Sequence, residues 1–359
     1  MNAQAKPPEP PEGKKAAPKK PKKVAFALQG GGSFGAFTWG VLDAFLEDGN
    51  FEIDGLSGTS AGGMNAVALA QGLLKGGNKG GQEEMLRFWH KVSDAGLLTP
   101  YFRPFSPIET QFQMPHYDPL QFFMGLMQGV MSPYQVNPAN INTLRDLVED
   151  FFDFRKLQAA EKLKLFLCAT HVNTGRLKLF TLNTLTPDKI LASACLPFLF
   201  QAVEIDGEHY WDGGFVGNPA IYPLIYDCEA PDIIVIQLSV MNRNRLPVTA
   251  SEISQRHKEI TYNACLMREM RMIDFVTGLI DQGAINDPAI RRINLHVIRN
   301  EDLFKGIDIG HALNPNWDLI QFLRAEGRAT AQKWLKENGD QIGQKKKTEK
   351  DAKPLHLHK

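Results

Sequence analysis

The chain predicts an α/β fold with a mostly parallel central sheet, on three observations. A short apolar run, Val24-Ala25-Phe26-Ala27-Leu28, ends in the glycine cluster Gly30 to Gly32, and Ser33 then opens a helical pattern through about Glu47. Phe51 to Leu56 repeats the strand signal and gives way, across Gly58 and Gly62, to a helical stretch from Ser60 to about Leu74. Far downstream, Asp232–Leu238 (DIIVIQL) is a third run of the same kind. Unbroken apolar runs mark strands buried on both faces, and successive strand–glycine turn–helix units favour parallel pairing.

The remaining elements fit that frame. Leu163–Thr170 and Leu177–Leu182 have strand character, and Pro187 opens a short helix to about Cys195, since Pro suits a first helical turn. Residues 251–280 read as helix, Arg292–Ile298 as a last strand and Asn316–Lys336 as a closing amphipathic helix. Residues 76–140 break the rhythm. A glycine-rich break at Gly76–Gly81 precedes a helix near Gln82–Ser93, and then comes a stretch dense in Pro, Phe and Met. It reads as an insertion that either packs on the core or forms a lid or lipid-facing surface. The parse is a basic, Pro/Lys-rich disordered tail at 1–23, a core at 24–225 containing that insertion, a C-terminal part at 226–340 and a second disordered basic tail at 341–359.

Apolar residues make up 43% and charged residues 22%, the balance of a globular protein. The formal net charge is zero. That sum hides basic ends, since residues 1–23 carry seven Lys against two Glu. Such tails ordinarily only solvate; the sharper reading is contact with anionic lipid. No nucleic-acid partner is expected. Four widely spaced cysteines without a CxxC pair suggest neither a disulfide framework nor a zinc site. With no apolar signal segment and no run of about 18 apolar residues, the expected location is the cytoplasm, with peripheral contact at a membrane or lipid surface.

Three motifs carry chemistry. Gly58-Thr59-Ser60-Ala61-Gly62 fits G-x-S-x-G, in which a serine on a sharp strand-to-helix turn holds its hydroxyl clear of the backbone. Ser60 is the candidate nucleophile. Gln29-Gly30-Gly31-Gly32-Ser33-Phe34-Gly35 presents bare backbone N–H groups in one place, a nest suited to an oxyanion. Gly30, Gly32 and Gly35 also spell G-x-G-x-x-G, with Asp54 placed as a ribose ligand would be, so nucleotide binding is a rival reading. Asp212-Gly213-Gly214 is the third motif: an acid on a tight turn that can direct its carboxylate at a partner.

In this order and rough spacing the three motifs resemble the patatin-like phospholipases, lipid acyl hydrolases that use a Ser–Asp dyad. Ala192-Ser193-Ala194-Cys195-Leu196-Pro197, ahead of Val203-Glu204-Ile205-Asp206-Gly207, adds to the similarity, which spans about residues 24–225. The resemblance implies a three-layer α/β/α core with a helical insertion and a C-terminal helical extension. It makes Asp212 the base for Ser60 and Gly31 and Gly32, helped by Gly30, the oxyanion donors. It implies neither metal nor cofactor, and a lipid ester as substrate. One departure is Phe34, where the family often has Arg or Lys. Two other readings are a Ser–His–Asp esterase, for which His257, His296 and His311 follow Asp212 in chain order, and a non-catalytic protein that binds lipid or a polyester granule.

Overall fold

The computed structural model describes residues 21–96, 131–307 and 309–344. The proposed tails up to residue 20 and from 345, and the Phe/Met-rich part of the insertion at 97–130, lie outside the described residues. The lid reading lies outside them with it.

The strands are β1 (Lys22–Leu28), β2 (Phe51–Gly58), β3 (Lys164–His171), β4 (Leu177–Thr181), β5 (Val203–Ile205), β6 (Glu208–Asp212), β7 (Asp232–Gln237) and β8 (Asn294–Arg299). They form one sheet in the order β5-β6-β3-β2-β1-β7-β8, with β4 also on β3. β3, β2, β1, β7 and β8 are mutually parallel, while β4, β5 and β6 add antiparallel pairs at one side. The main helices are α1 (Gly35–Asp48), α2 (Ala61–Gly96), α3 (Pro187–Ser193), α4 (Ala250–Asp281) and α5 (Trp317–Asn338). The helix α2 breaks at Gly76–Gly77, whose backbone leaves helical geometry where the glycine-rich run predicts a break.

Helices cover both faces, giving the three-layer α/β/α arrangement. The two-residue period of β1 explains why: Val24, Phe26 and Leu28 enter the large core beneath α1, α2 and α5, while Ala25 and Ala27 enter a smaller one beneath α4. Phe26 meets Phe45 of α1 edge to face at 5.1 Å. β7 divides in the same way, with Ile234 and Ile236 on one side and Ile233 and Val235 on the other.

The structure moves two expected boundaries and adds a hairpin. β1 begins at Lys22, which pairs with Phe51, so the strand starts two residues before Val24. At the other end, 341–344 belong to the body rather than a tail: Ile342 is buried, and the Gly343 N–H donates to Asp232 at 2.9 Å. The hairpin β5–β6 was not expected as strands at all. Its turn is Asp206-Gly207, both at positive φ (53° and 79°), the two-residue connection that matches sheet twist.

α1 and α5 cross almost backbone to backbone. A Cβ on Gly40 would stand 2.0 Å from the Arg324 carbonyl oxygen, and one on Gly327 would stand 2.1 Å from that of Phe37. Asp43, buried beside the crossing, accepts hydrogen bonds from Arg324 and Arg328, both at 2.7 Å. Gly327→Val should therefore lower unfolding stability by on the order of 2 kcal/mol through overpacking. Gly278→Ala on α4, where nothing stands within 4 Å of a new Cβ, should raise it by roughly 1 kcal/mol through helix propensity. Urea unfolding of the two variants checks the opposite signs.

Candidate active site

The site follows from how three strands share β3. A strand has two edges, and β4 takes one of them along Phe166–Thr170. β2 pairs with Lys164–Leu167 and β6 with Ala169–His171, so these two lie end to end on the other edge. β2 runs parallel to β3 and β6 antiparallel, so their carboxyl ends converge. Gly58 sits opposite Leu167 and Asp212 opposite Ala169, about 7 Å apart along the strand. The elbow after β2 thus faces the acid that ends β6.

Ser60 has φ of +55°, a left-handed conformation that a non-glycine residue holds only under constraint. The constraints are visible. Thr59 N–H bonds the Leu28 carbonyl at 3.3 Å, and the Ser60 N–H donates to Oγ of buried Ser193, the last residue of α3, at 3.0 Å. Gly62 N–H returns to the Thr59 carbonyl at 2.9 Å. A Cβ on Gly62 would lie 2.2 Å from the Leu28 carbonyl oxygen, and one on Gly58 2.6 Å from that of Gly62, so the elbow closes only with glycine at both. Met64 N–H then bonds the Ser60 carbonyl at 3.0 Å as α2 begins, which puts the positive end of a helix dipole behind the hydroxyl.

The glycine loop lies beside the elbow because β1 and β2 are adjacent and in register, Leu28 opposite Gly58. A Cβ on Gly30 would come within 2.9 Å of Ser60 Cβ. The Gly30 N–H, however, is donated to buried Asn218 Oδ1 at 2.7 Å. Gly30, expected among the oxyanion donors, thus has its N–H engaged, whereas the N–H groups of Gly31 and Gly32 meet no acceptor among the described residues. Gly32 needs glycine twice over: its φ is +59°, and a Cβ would strike the Ala312 carbonyl oxygen at 2.0 Å. Gly35 opens α1, its carbonyl accepting from Asn65 Nδ2 at 2.9 Å. Upstream, Gln29 Oε1 accepts the N–H groups of Leu238 and Ser239 at 2.7 and 2.8 Å, and Gln29 Nε2 donates to Asn263 of α4 at 3.1 Å. Phe34 is buried against Phe304, ring centroids 5.5 Å apart, so this position contributes an aromatic contact to the core.

Asp212 is 2% exposed. Its N–H donates to the Cys195 carbonyl at 2.8 Å, and its carbonyl accepts the Thr170 hydroxyl at 2.7 Å. Its Oδ1 accepts the Gly214 N–H at 2.7 Å. Gly213, beside it, lies so close to β3 that a Cβ there would stand 2.3 Å from the Cys168 carbonyl oxygen. Burial pushes the Asp212 carboxyl up to about 6, against the opposing pull of the Gly214 N–H and the Ser60 hydroxyl. No histidine figures among these influences. His296 bonds Asp232 at the start of β7, the end of the sheet away from the elbow, at 2.8 Å. His257 is exposed on α4, and His311 Nδ1 lies 3.3 Å from Asn314 Nδ2. Asp54 does not serve as a ribose ligand would. It sits mid-strand in β2, and its Oδ2 accepts the N–H groups of Glu229 and Ala230. Among the described residues no cluster of His, Cys, Asp or Glu is arranged to hold a metal.

A glycine loop, a strained serine elbow and a buried acid on one mixed α/β/α sheet define a patatin-type fold. The family model for patatin-like phospholipases matches residues 26–225, and the chain belongs to that family. Among solved structures it is similar to VipD from Legionella pneumophila (14% identity, TM-score 0.36), covering 86% of this chain and 67% of that one. It is also similar to the type III effector protein ExoU (17%, TM-score 0.30; 89% of this chain, 54% of that one). A third is full-length ExoU in complex with SpcU, from the type III secretion system of Pseudomonas aeruginosa (15%, TM-score 0.28; 88% and 53%). The chain therefore spans about two thirds of the first and about half of ExoU. At such identities and TM-scores the family match carries the assignment. No curated protein sequence matches the chain significantly.

Asn218 lay outside the residues singled out from sequence, and Ser193 was named only within the segment Ala192–Pro197, with no role of its own. Asn218→Ala should strand the buried Gly30 N–H and lower unfolding stability by about 1–3 kcal/mol. Equilibrium urea unfolding measures this directly.

Proposed function

We propose that the chain hydrolyses carboxylic esters of lipids through Ser60 as nucleophile and Asp212 as its base. The observation that carries the reading is the convergence on one edge of β3 of the Ser60 elbow after β2 and the buried acid that ends β6, with burial pushing that carboxyl up to about 6. A carboxylate near its usual 3.9 is a feeble base toward a hydroxyl; raising it toward the working pH makes proton transfer more favourable. Asp212 takes the Ser60 proton as Oγ bonds to the ester carbonyl carbon. The resulting oxyanion faces the Gly31 and Gly32 N–H groups. The carbonyl re-forms, the alcohol leaves with the proton from Asp212, and an acyl-Ser60 ester remains. Water attacks this ester, gives its proton to Asp212, and the fatty acid departs as Ser60 recovers that proton.

The family match supports a lipid substrate, and apolar esters place the reaction at a membrane or lipid surface that the protein meets from outside. Among the described residues no helix is long and apolar enough to cross a membrane. The 226–340 region is read as the C-terminal part of the same unit, because Asn263 and Ala312 bear on the glycine loop.

A fluorophosphonate probe should label the wild type and not Ser60→Ala, while Asp212→Asn should label at least 100-fold more slowly. Alanine in turn at His257, His296 and His311 should leave the labelling rate of folded protein within a few-fold. A loss of orders of magnitude at any one would restore a triad, and labelling of Ser60→Ala would remove the nucleophile.

The same carboxyl has a stability consequence. Its folded-state pKa is raised, so the folded chain binds this proton more tightly than the unfolded one. Its contribution is most favourable below the unfolded value, declines as pH rises from about 4 to 6, and stays low above. The shift from 3.8 to about 6 corresponds to an upper bound on the order of 3 kcal/mol. Asp212→Asn keeps an acceptor for Gly214 and carries no charge. It should therefore be more stable than wild type at pH 8 and should lose that advantage by pH 4, as read by urea unfolding at both pH values.

A further inference from the structure

The described neighbours of Asp212 include one residue from beyond the family-matched region. Tyr262 lies on α4, well after residue 225. The place a Cβ on Gly214 would occupy is 3.0 Å from Asp212 Oδ1 and 3.4 Å from both Cε1 and Cζ of Tyr262. Carboxylate and ring therefore both lie against the bare face of Gly214. A side chain at 214 would crowd both. The ring is held in place by an edge-to-face contact with Phe215 at 5.9 Å. Two anchors on the same helix fix its height: Asn263 to Gln29 at 3.1 Å, and Glu269 to the N–H groups of Ile221 and Tyr222 at 2.7 and 2.9 Å.

We propose that Tyr262 is a positioning residue for the base, its ring packed over the bare face of Gly214 and keeping water from the carboxylate that takes the Ser60 proton. The inference rests on the Ser60–Asp212 reading. The electrostatics agree with the geometry: burial first, and then the charge of Asp212, push the Tyr262 phenol up. The charge of Asp212 also bears on Cys195, from the turn after α3, whose thiol is raised mainly by burial. No Lys, Arg or His acts on the carboxyl among the described residues. The ring's contribution is thus to remove water rather than to add charge.

The test is the pH dependence of kcat and kcat/KM on a soluble p-nitrophenyl ester, for wild type, Tyr262→Phe, Tyr262→Leu and Tyr262→Ala. Wild type should show an acid limb near the Asp212 value of about 6. Tyr262→Phe keeps the ring and should keep the limb. Tyr262→Ala should move it down by about one unit or more and lower the plateau kcat by about tenfold, a part of the ~10²–10⁴ that a general base supplies, with KM little changed. Tyr262→Leu, which fills more of the space, should fall between and serves if the alanine variant does not fold. A limb unmoved in both Leu and Ala overturns the inference, as does one that moves equally in Phe and Ala, since the hydroxyl would then be the active part. Ser60→Ala and Asp212→Asn are assayed alongside. Activity retained there refutes the dyad itself, whereas their loss with an unmoved Tyr262→Ala limb refutes only the role of Tyr262.

Discussion

A carboxylate serves as a base toward a hydroxyl only if water is kept from it, and much of the architecture around Asp212 has that effect. The acid ends a strand at 2% exposure, and its backbone is tied on both sides, to Cys195 and to Thr170. Solvating an ionised carboxylate is worth several kcal/mol, so the fold holds the group there against a standing penalty. The sheet supplies the rigidity this requires. Because β2 and β6 approach each other along one edge of β3, elbow and acid are positioned by the same ladder of backbone hydrogen bonds. A displacement of either requires β3 to give way.

The C-terminal region belongs to this arrangement rather than trailing from it. Phe304 covers Phe34, the Ala312 carbonyl rests against Gly32, and Asn263 holds Gln29. Each contact bears on the glycine loop, which has no regular structure of its own beyond a short 3₁₀ turn at Gly32–Phe34. A loop that presents N–H groups to a developing charge must already be ordered before the charge appears, or ordering it would take back what the hydrogen bonds contribute. Contacts from 263, 304 and 312 provide that order from residues distant in sequence.

The same distinction decides what was legible in the chain. The elbow at Ser60, the turn at Gly30–Gly32 and the turn at Asp212 were visible as local structure because each sits in a pattern whose backbone demands are written in neighbouring glycines. The central strands β1 and β7 were visible because burial on both faces makes Val24–Leu28 and Ile233–Ile236 apolar without a break. The hairpin β5–β6 carried its own signal in Asp206-Gly207, yet three- and five-residue strands offer too little periodicity to stand out. Asn218 engaging Gly30, and Ser193 engaging Ser60, join positions 188 and 133 residues apart. No local pattern encodes such pairs. Asp54 illustrates the converse: its spacing imitated a ribose ligand, and only the fold revealed its carboxylate bonded to the 229–230 backbone.

Phe34 also takes on a physical meaning. In the proposed reaction one negative charge is present throughout: it begins on Asp212 and moves to the ester oxygen as the proton crosses. A cation near enough to favour the oxyanion would favour the starting carboxylate as well, lowering the pKa of a nearby Asp by about 1–3 units and weakening the base. Backbone N–H groups discriminate better, because they point at one position and their field falls off quickly. Gly31 and Gly32, with the amino ends of α1 and α2 behind them, can stabilise the charge where it arrives without doing so where it starts. An aromatic side chain at 34, turned into the core against Phe304, is therefore compatible with the proposed base, on whose carboxyl no cation acts among the described residues.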